Sequence, residues 1–222
     1  MSTGTPLRLA ILISGRGSNM TAIMRACLAG EINAQVAAVI SDRAQAAGLA
    51  SARDLGAQTL TVLKPPGTAA ADFEARLAAA LEASRPDLIA LAGFMRILSG
   101  AFVARYLGRM LNIHPSLLPA YRGLHTHRRV LADGTQEHGA SVHFVTPELD
   151  AGPVVLQSKV AVRPGDTEAT LSARVQATEH IIYPRVIGWF AQRRLAWHEG
   201  AAWLDGVRLD TPIVEDFRAA AA

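Results

Sequence analysis

The chain has 222 residues, 50% hydrophobic and 18% charged, which is enough apolar material for a sizeable core and excludes a largely disordered chain. Its 22 basic and 19 acidic residues leave a formal charge of +3, spread along the chain, which argues against a dedicated nucleic-acid binder. No apolar run approaches a membrane span, and the single cysteine, Cys27, excludes a disulfide framework, so the sequence reads as a cytoplasmic protein.

Leu7 to Ile13 is a continuous apolar run, the pattern of a parallel strand covered on both faces. Gly15-Arg16-Gly17-Ser18-Asn19 interrupts it, and Met20, Ile23, Met24, Cys27 and Leu28 then form a helical stripe that stops at Gly30. Val36 to Ile40 reads as a second strand ending at Ser41-Asp42, followed by an alanine-rich helix through Leu55. Thr59 to Leu63 is a third strand, closed by Pro65-Pro66-Gly67. Phe73, Leu77 and Leu81 mark a further helix, and Asp87 to Leu91 a fourth strand. This alternation predicts a doubly wound α/β sheet.

The second half is less regular. Met110 to Ile113 is a short strand, and Ser116 to His127 suggests an ordered loop. Ser141 to Val145 and Val154 to Val160 read as two strands joined by a turn containing Asp150. Asp166 is the expected cap of a long helix through Leu171, Val175, Ile182 and Val186, which Pro184 should kink or interrupt. Trp197 and Trp203 belong to a small C-terminal β extension. No linker or repeat divides the chain, so one domain over 1–222 is expected.

Gly15-x-Gly17 after a first strand suggests a nucleotide site, because glycines let backbone amides approach a phosphate at a helix N-terminus. Met20 stands where a dinucleotide fingerprint needs a third small residue, although Asp42 resembles the ribose-binding acid of such folds and keeps that reading open. Ser18 and Asn19 suit a terminal monophosphate; the alternative is a plain strand-to-helix turn capped by one of them. Asn112 and His114 lie two apart at a strand end, so their side chains can project the same way. With Asp150 they suit acyl transfer to an amine: the carboxamide and imidazole meet a developing oxyanion, and the carboxylate supports proton transfer. The plainer alternatives are a hydrogen-bonded structural histidine and a turn-forming aspartate. His125 and His127 have no third ligand at metal-site spacing, so a helix entry and no metal are expected, and Cys27 reads as core rather than nucleophile.

Five segments carry a resemblance: Ile13 to Asn19, Ala92 to Leu98, Leu111 to Pro119, His138 to His143 and Leu149 to Pro153. In this order they resemble the phosphoribosylglycinamide formyltransferases, over about Leu7 to Gly206. The resemblance implies a Rossmann-like, mostly parallel sheet (the formyltransferase fold), with a ribonucleotide-phosphate-binding half over 7–110 and a catalytic and folate-binding half over 111–206. It implies 10-formyltetrahydrofolate as cosubstrate, glycinamide ribonucleotide as acceptor, direct attack by the amine, and neither metal nor nucleotide cofactor. Partners would be these small molecules alone, with no nucleic acid or membrane, in a monomer or homodimer.

Carried over by position, Gly17, Ser18 and Asn19 would hold the phosphate and Glu179 the glycinamide end. Met95, Arg96, Ile97 and Leu98 would line the pterin pocket largely through backbone groups, with Asn112, and the Thr146-to-Asp150 loop would close over the ring. Asn112, His114 and Asp150 match the catalytic trio, with His143 in support. Ala70 departs from a basic residue that contacts the folate in some relatives, and Arg122 is the candidate to supply that charge. Rival readings are a formyltetrahydrofolate hydrolase, a methionyl-tRNA formyltransferase, which would need a further domain after residue 210, and a non-catalytic mononucleotide-binding module.

Overall fold

The protein is described here by a computed structural model covering residues 4–219. The first apolar run forms β1 (Leu7–Ile13), and its side chains alternate between two cores. Leu9, Ile11 and Ile13 pack with Met20, Ile23 and Met24 of α1 (Ser18–Leu28), whereas Ala10 and Leu12 face the opposite layer. Both faces of the strand are therefore covered, which is why it carries no polar residue from Leu9 to Ile13. β2 (Ala34–Ser41), α2 (Ala47–Asp54), β3 (Thr59–Thr61), α3 (Ala70–Ser84) and β4 (Leu88–Leu91) follow, then a short α4 (Gly100–Ala104) and β5 (Met110–His114). These five strands are parallel in the order β3-β2-β1-β4-β5. Phe73, Leu77 and Leu81 of α3 and Phe102 and Val103 of α4 build the second core.

Beyond α5 (Thr126–Asp133), β6 (Glu137–Phe144) pairs antiparallel with β5, and β7 (Val154–Ala161) antiparallel with β6. α6 (Glu168–Ala191) then crosses back against α1. β8 (Leu195–His198), β9 (Ala201–Leu204) and β10 (Val207–Arg208) make a small antiparallel sheet, and β11 (Ile213–Asp216) returns to the main sheet parallel to β7, giving it eight strands. The doubly wound, mostly parallel sheet and the C-terminal β extension are thus as the sequence indicates; α4 and β11 are additions to it.

Four local expectations need correction. Leu28 is 67% exposed, because the stripe of α1 runs past the edge of the core in its last turn, whereas Cys27, half buried, packs against that core. Asp166 does not cap α6: its carboxylate is held by Arg174 at 2.7 and 2.9 Å and by the Arg163 amide at 2.8 Å. The cap is Thr167, which accepts from the Thr170 amide at 3.2 Å while the Thr170 hydroxyl accepts from the Thr167 amide at 2.9 Å. Pro184 leaves α6 uninterrupted; Ile182, Tyr183, Val186 and Ile187 around it are fully buried, and that packing outweighs the hydrogen bond proline omits. Asp42 is turned inward, away from the hollow at the start of α1. Its buried carboxylate accepts from Arg96 Nε at 2.6 Å.

Candidate active site

Gly17 ends the loop after β1 with φ of 71°, and a side chain there would press on Gly48 Cα at 3.1 Å. Gly48 is equally confined, so the loop lies flat against the start of α2, tied by the Gly48 amide to the Gly15 carbonyl at 3.0 Å. The Thr21 amide is the first in α1 to find a backbone partner, the Gly17 carbonyl at 2.9 Å. The amides before it project from the helix N-terminus, with neither a capping side chain nor an acidic residue in the first turn, as an anion site requires. Gly17, Ser18 and Asn19 line one hollow with Met95, His127, Ser172, Gln176 and Glu179. Asn19 Nδ2 donates to Glu179 Oε2 at 2.7 Å, and Asn19 Oδ1 is buried without a partner. Glu179 is buried rather than solvated, and desolvation pushes its carboxyl up, with the Asn19 hydrogen bond opposing.

The end of β5 borders this hollow through Ile113 and Pro115, and a second, narrower slot through Asn112. Asn112 stands directly across the ladder from His143 on β6, and the two meet at 3.1 Å. His143 Nδ1 lies 2.9 Å from the Phe144 carbonyl, which can only accept, so Nδ1 carries the proton and Nε2 is a bare acceptor for the Asn112 amide. Burial pushes the His143 imidazole down to about 4, keeping it in that neutral form. His143 therefore fixes which way the carboxamide points. By the same logic His114 Nε2–H donates to the Tyr121 carbonyl at 3.0 Å, leaving Nδ1 to face Asp150 Oδ2 at 3.4 Å. Asp150, with φ of 48°, is held by the Gly123 amide at 2.9 Å, and its other oxygen lies 3.9 Å from His143 Nε2. One carboxylate thus faces both imidazoles.

Arg96, Ile97 and Leu98 line the slot with Asn112, His143 and the loop from Thr146 to Asp150. The segment before α4 is held at three points: the Met95 amide on Ser14 Oγ at 2.8 Å, Arg96 on Asp42, and Ser99 on Glu74. Between those points no backbone partner holds the amides of Arg96, Ile97 and Leu98 among the described residues, so they remain available to a flat, polar-edged ring. A model of the formyl transferase family matches residues 7–187. The chain belongs to the formyl transferase family.

This formyl transferase is similar to the phosphoribosylglycinamide formyltransferase of Escherichia coli, 54% identical over 203 residues that cover 91% of this chain and 96% of that one. Among solved structures, the phosphoribosylglycinamide formyltransferase of Coxiella burnetii superposes with a TM-score of 0.90 at 48% identity, covering 94% of this chain and 99% of that one. More distant is a formyltetrahydrofolate deformylase of Burkholderia mallei, with a TM-score of 0.81, 26% identity, and 90% and 70% of the two chains covered. Among the described residues of this formyl transferase no helix is long and apolar enough to cross a membrane, and no group of three or more metal-binding side chains comes together.

The structure brings the trio together and sets Gly17, Ser18, Asn19 and Glu179 in one hollow, but it separates Met95 from its neighbours. Met95 lines the hollow at the start of α1, while Arg96, Ile97, Leu98 and Thr146 line the slot. Arg122 pairs with Glu148 at 2.9 Å, which straps its loop to the slot's closing loop. His125 is the residue before α5 with φ of 58°, so the His125-Thr126-His127 segment is a helix entry. His127, Ser172 and Gln176 also line the hollow at the start of α1, which no sequence motif indicates. For Gln176 the available signal was helical spacing, three residues before Glu179 on α6. His127 meets His138 at 2.9 Å, and burial drives His138 down to about 3.

Proposed function

We propose that this chain transfers the formyl group of 10-formyltetrahydrofolate to the amine of 5'-phosphoribosylglycinamide in purine synthesis. The observation that carries the reading is the gathering of Asn112 and His114 at the end of β5 around the Asp150 carboxylate, which faces His114 and, through His143, Asn112, beside both the hollow at the start of α1 and a slot with unpaired backbone amides. Purine-synthesis relatives that match nearly the whole chain support the same choice of substrates.

In this reading the amides of Ser18 and Asn19 hold the ribonucleotide phosphate, and Glu179 receives the glycinamide end. The 96–98 amides and carbonyls pair with the pterin edge between Leu91, Phe94, Leu98 and Val145. The slot encloses about 110 Å³, less than the roughly 300 Å³ at which small-molecule sites begin, so the Thr146-to-Asp150 loop yields as the ring enters. The amine nitrogen attacks the formyl carbon, and the carbonyl oxygen gathers charge that the second Asn112 N–H meets, joined by His114 Nδ1 once that nitrogen holds the amine's proton, since its Nε2–H is on the Tyr121 carbonyl. The proton lost by the amine passes to the Asp150–His114 pair. When the carbon–nitrogen bond to the folate breaks, the leaving nitrogen takes a proton from the same pair, which ends the cycle as it began. No side-chain nucleophile is needed. Burial pushes Cys27 up to about 11, which keeps its thiol protonated.

The deciding experiment supplies 10-formyltetrahydrofolate with and without glycinamide ribonucleotide. Formylated product that depends on the amine is the expected result. Formate released equally well without it would make the enzyme a hydrolase and overturn the proposal.

A further inference from the structure

We propose that Arg16 and Arg43 form a cationic jaw outside the phosphate loop and make capture of the ribonucleotide depend on its phosphate charge. The inference rests on the reading of Gly17 to Asn19 as the phosphate site and adds two residues to it. Both arginines are exposed and both line the anion hollow. They also line an adjoining hollow of about 580 Å³ between the loop and the start of α2, where they are the only charged residues among Ser14, Gly15, Ala44, Gln45, Ala46 and Ala47.

Their shared position sets them apart. Many arginines are engaged, among them Arg96 by Asp42, Arg174 by Asp166, Arg194 by Asp205, Arg122 by Glu148 and Arg8 by the Ser84 carbonyl, whereas Arg16 and Arg43 are two unpaired side chains on one hollow. Neither the Arg16 nor the Arg43 guanidinium has a hydrogen bond or ion pair among the described residues, yet their backbones are fixed. The Arg43 amide donates to Ser41 Oγ at 3.1 Å, and the Arg16 carbonyl abuts Gly48. Asp42, the nearest acid in sequence, is turned inward onto Arg96. Glu179 is the one acid lining the anion hollow, and Asn19 already holds one of its oxygens. Two long, unpaired cations on a rigid rim, with no local anion to neutralise them, fit a doubly charged oxyanion, which a guanidinium grips in bidentate fashion.

The test compares the parent enzyme with the Arg16→Gln/Arg43→Gln double variant, using glycinamide ribonucleotide and its dephosphorylated riboside as acceptors. The expected result is a KM for the ribonucleotide raised about 10-fold with kcat changed less than about 2-fold, and an unmoved KM for the riboside. The rise of the ribonucleotide KM with salt should also be shallower in the variant, because fewer charges remain to be screened. Arg25→Gln/Arg193→Gln removes the same net charge away from this hollow and should leave both constants at the parent values. A ribonucleotide KM within about 2-fold of the parent, or an equal rise for both acceptors, would overturn the jaw. If the parent itself fails to prefer ribonucleotide over riboside, the phosphate reading of the loop falls and the jaw with it. Full preference kept by the variant defeats the jaw alone.

Discussion

The chemistry of single residues here turns on which atoms carry protons. The Phe144 carbonyl makes His143 Nε2 an acceptor, and that acceptor orients Asn112, so His143 acts as a positioning residue. His143→Leu keeps the volume and removes the acceptor. It should lower kcat by about 10-fold, the worth of roughly one hydrogen bond that aligns the amide, with KM for the ribonucleotide unchanged. Equal turnover in parent and variant would return His143 to a packing role. Asp150→Asn removes the charge that faces His114 while keeping the Gly123 contact within reach. A fall in kcat of ~10²-fold is expected, and a near-parent rate across pH would take Asp150 out of the mechanism. That Asn112 and His114 share a strand end was legible from their spacing of two, and the family segments point to Asp150 as their neighbour. The task of His143 was not, since it depends on β-ladder register, which one strand's sequence does not encode.

At the scale of elements, the segment from Met95 to Ser99 shows how a loop becomes a wall. Ile97 is 79% exposed and contributes no burial, so Leu98, which enters the second core, is joined by polar anchors. Glu74 on α3 supplies one anchor: its carboxylate accepts from the Ser99 amide at 2.6 Å and from the Ser99 hydroxyl at 2.5 Å, and Ser99 in turn caps α4. Glu74→Gln leaves one acceptor oxygen and turns a carboxamide NH2 toward the other Ser99 donor. It should raise the KM for the formyl-folate about 5-fold through a wall that no longer sits in one place, with the ribonucleotide KM unmoved. Steady-state titration of each substrate separates the two, and equal KM values for the folate would show that the wall holds without this clamp. The strands and helices around β1 were readable from periodicity because they bury a full face. α4 was not, since five residues are too few for a period to emerge, and β11 was not, since Glu215 and Asp216 lie on a sheet edge where alternation is diluted by charge. The residue ending α6's approach was misread because Asp166 and Thr167 are both good caps in sequence, and Arg174, one helix turn further on than local patterns reach, claims the aspartate.

For the molecule as a whole, the buried imidazoles link folding to pH. His138 and His143 both lie buried in β6 of the main sheet, and burial is the leading cause that lowers them to about 3 and about 4 from 6.5. An unfolded chain takes up protons at these groups as pH falls through 6.5, whereas the folded chain resists until about 4, so stability is complete above 6.5 and declines below it. Glu179 works the other way: burial raises it, so it favours the folded state as pH falls and offsets part of the loss in the acid range. Asp216, held low at about 2 by Arg218, loses its contribution only below 3.8, outside this window. Denaturant unfolding of the parent should therefore give a plateau above pH 7 and a decline between pH 6.5 and 4, with each histidine contributing about 1.4 kcal/mol per pH unit at most. In His143→Leu the slope should drop by about one proton's worth while that of an exposed-histidine control, His198→Gln, stays at the parent value. A parent whose stability is level down to pH 5, or a His143→Leu protein with the parent's slope, would mean that the interior around β6 opens enough to let these rings charge without unfolding.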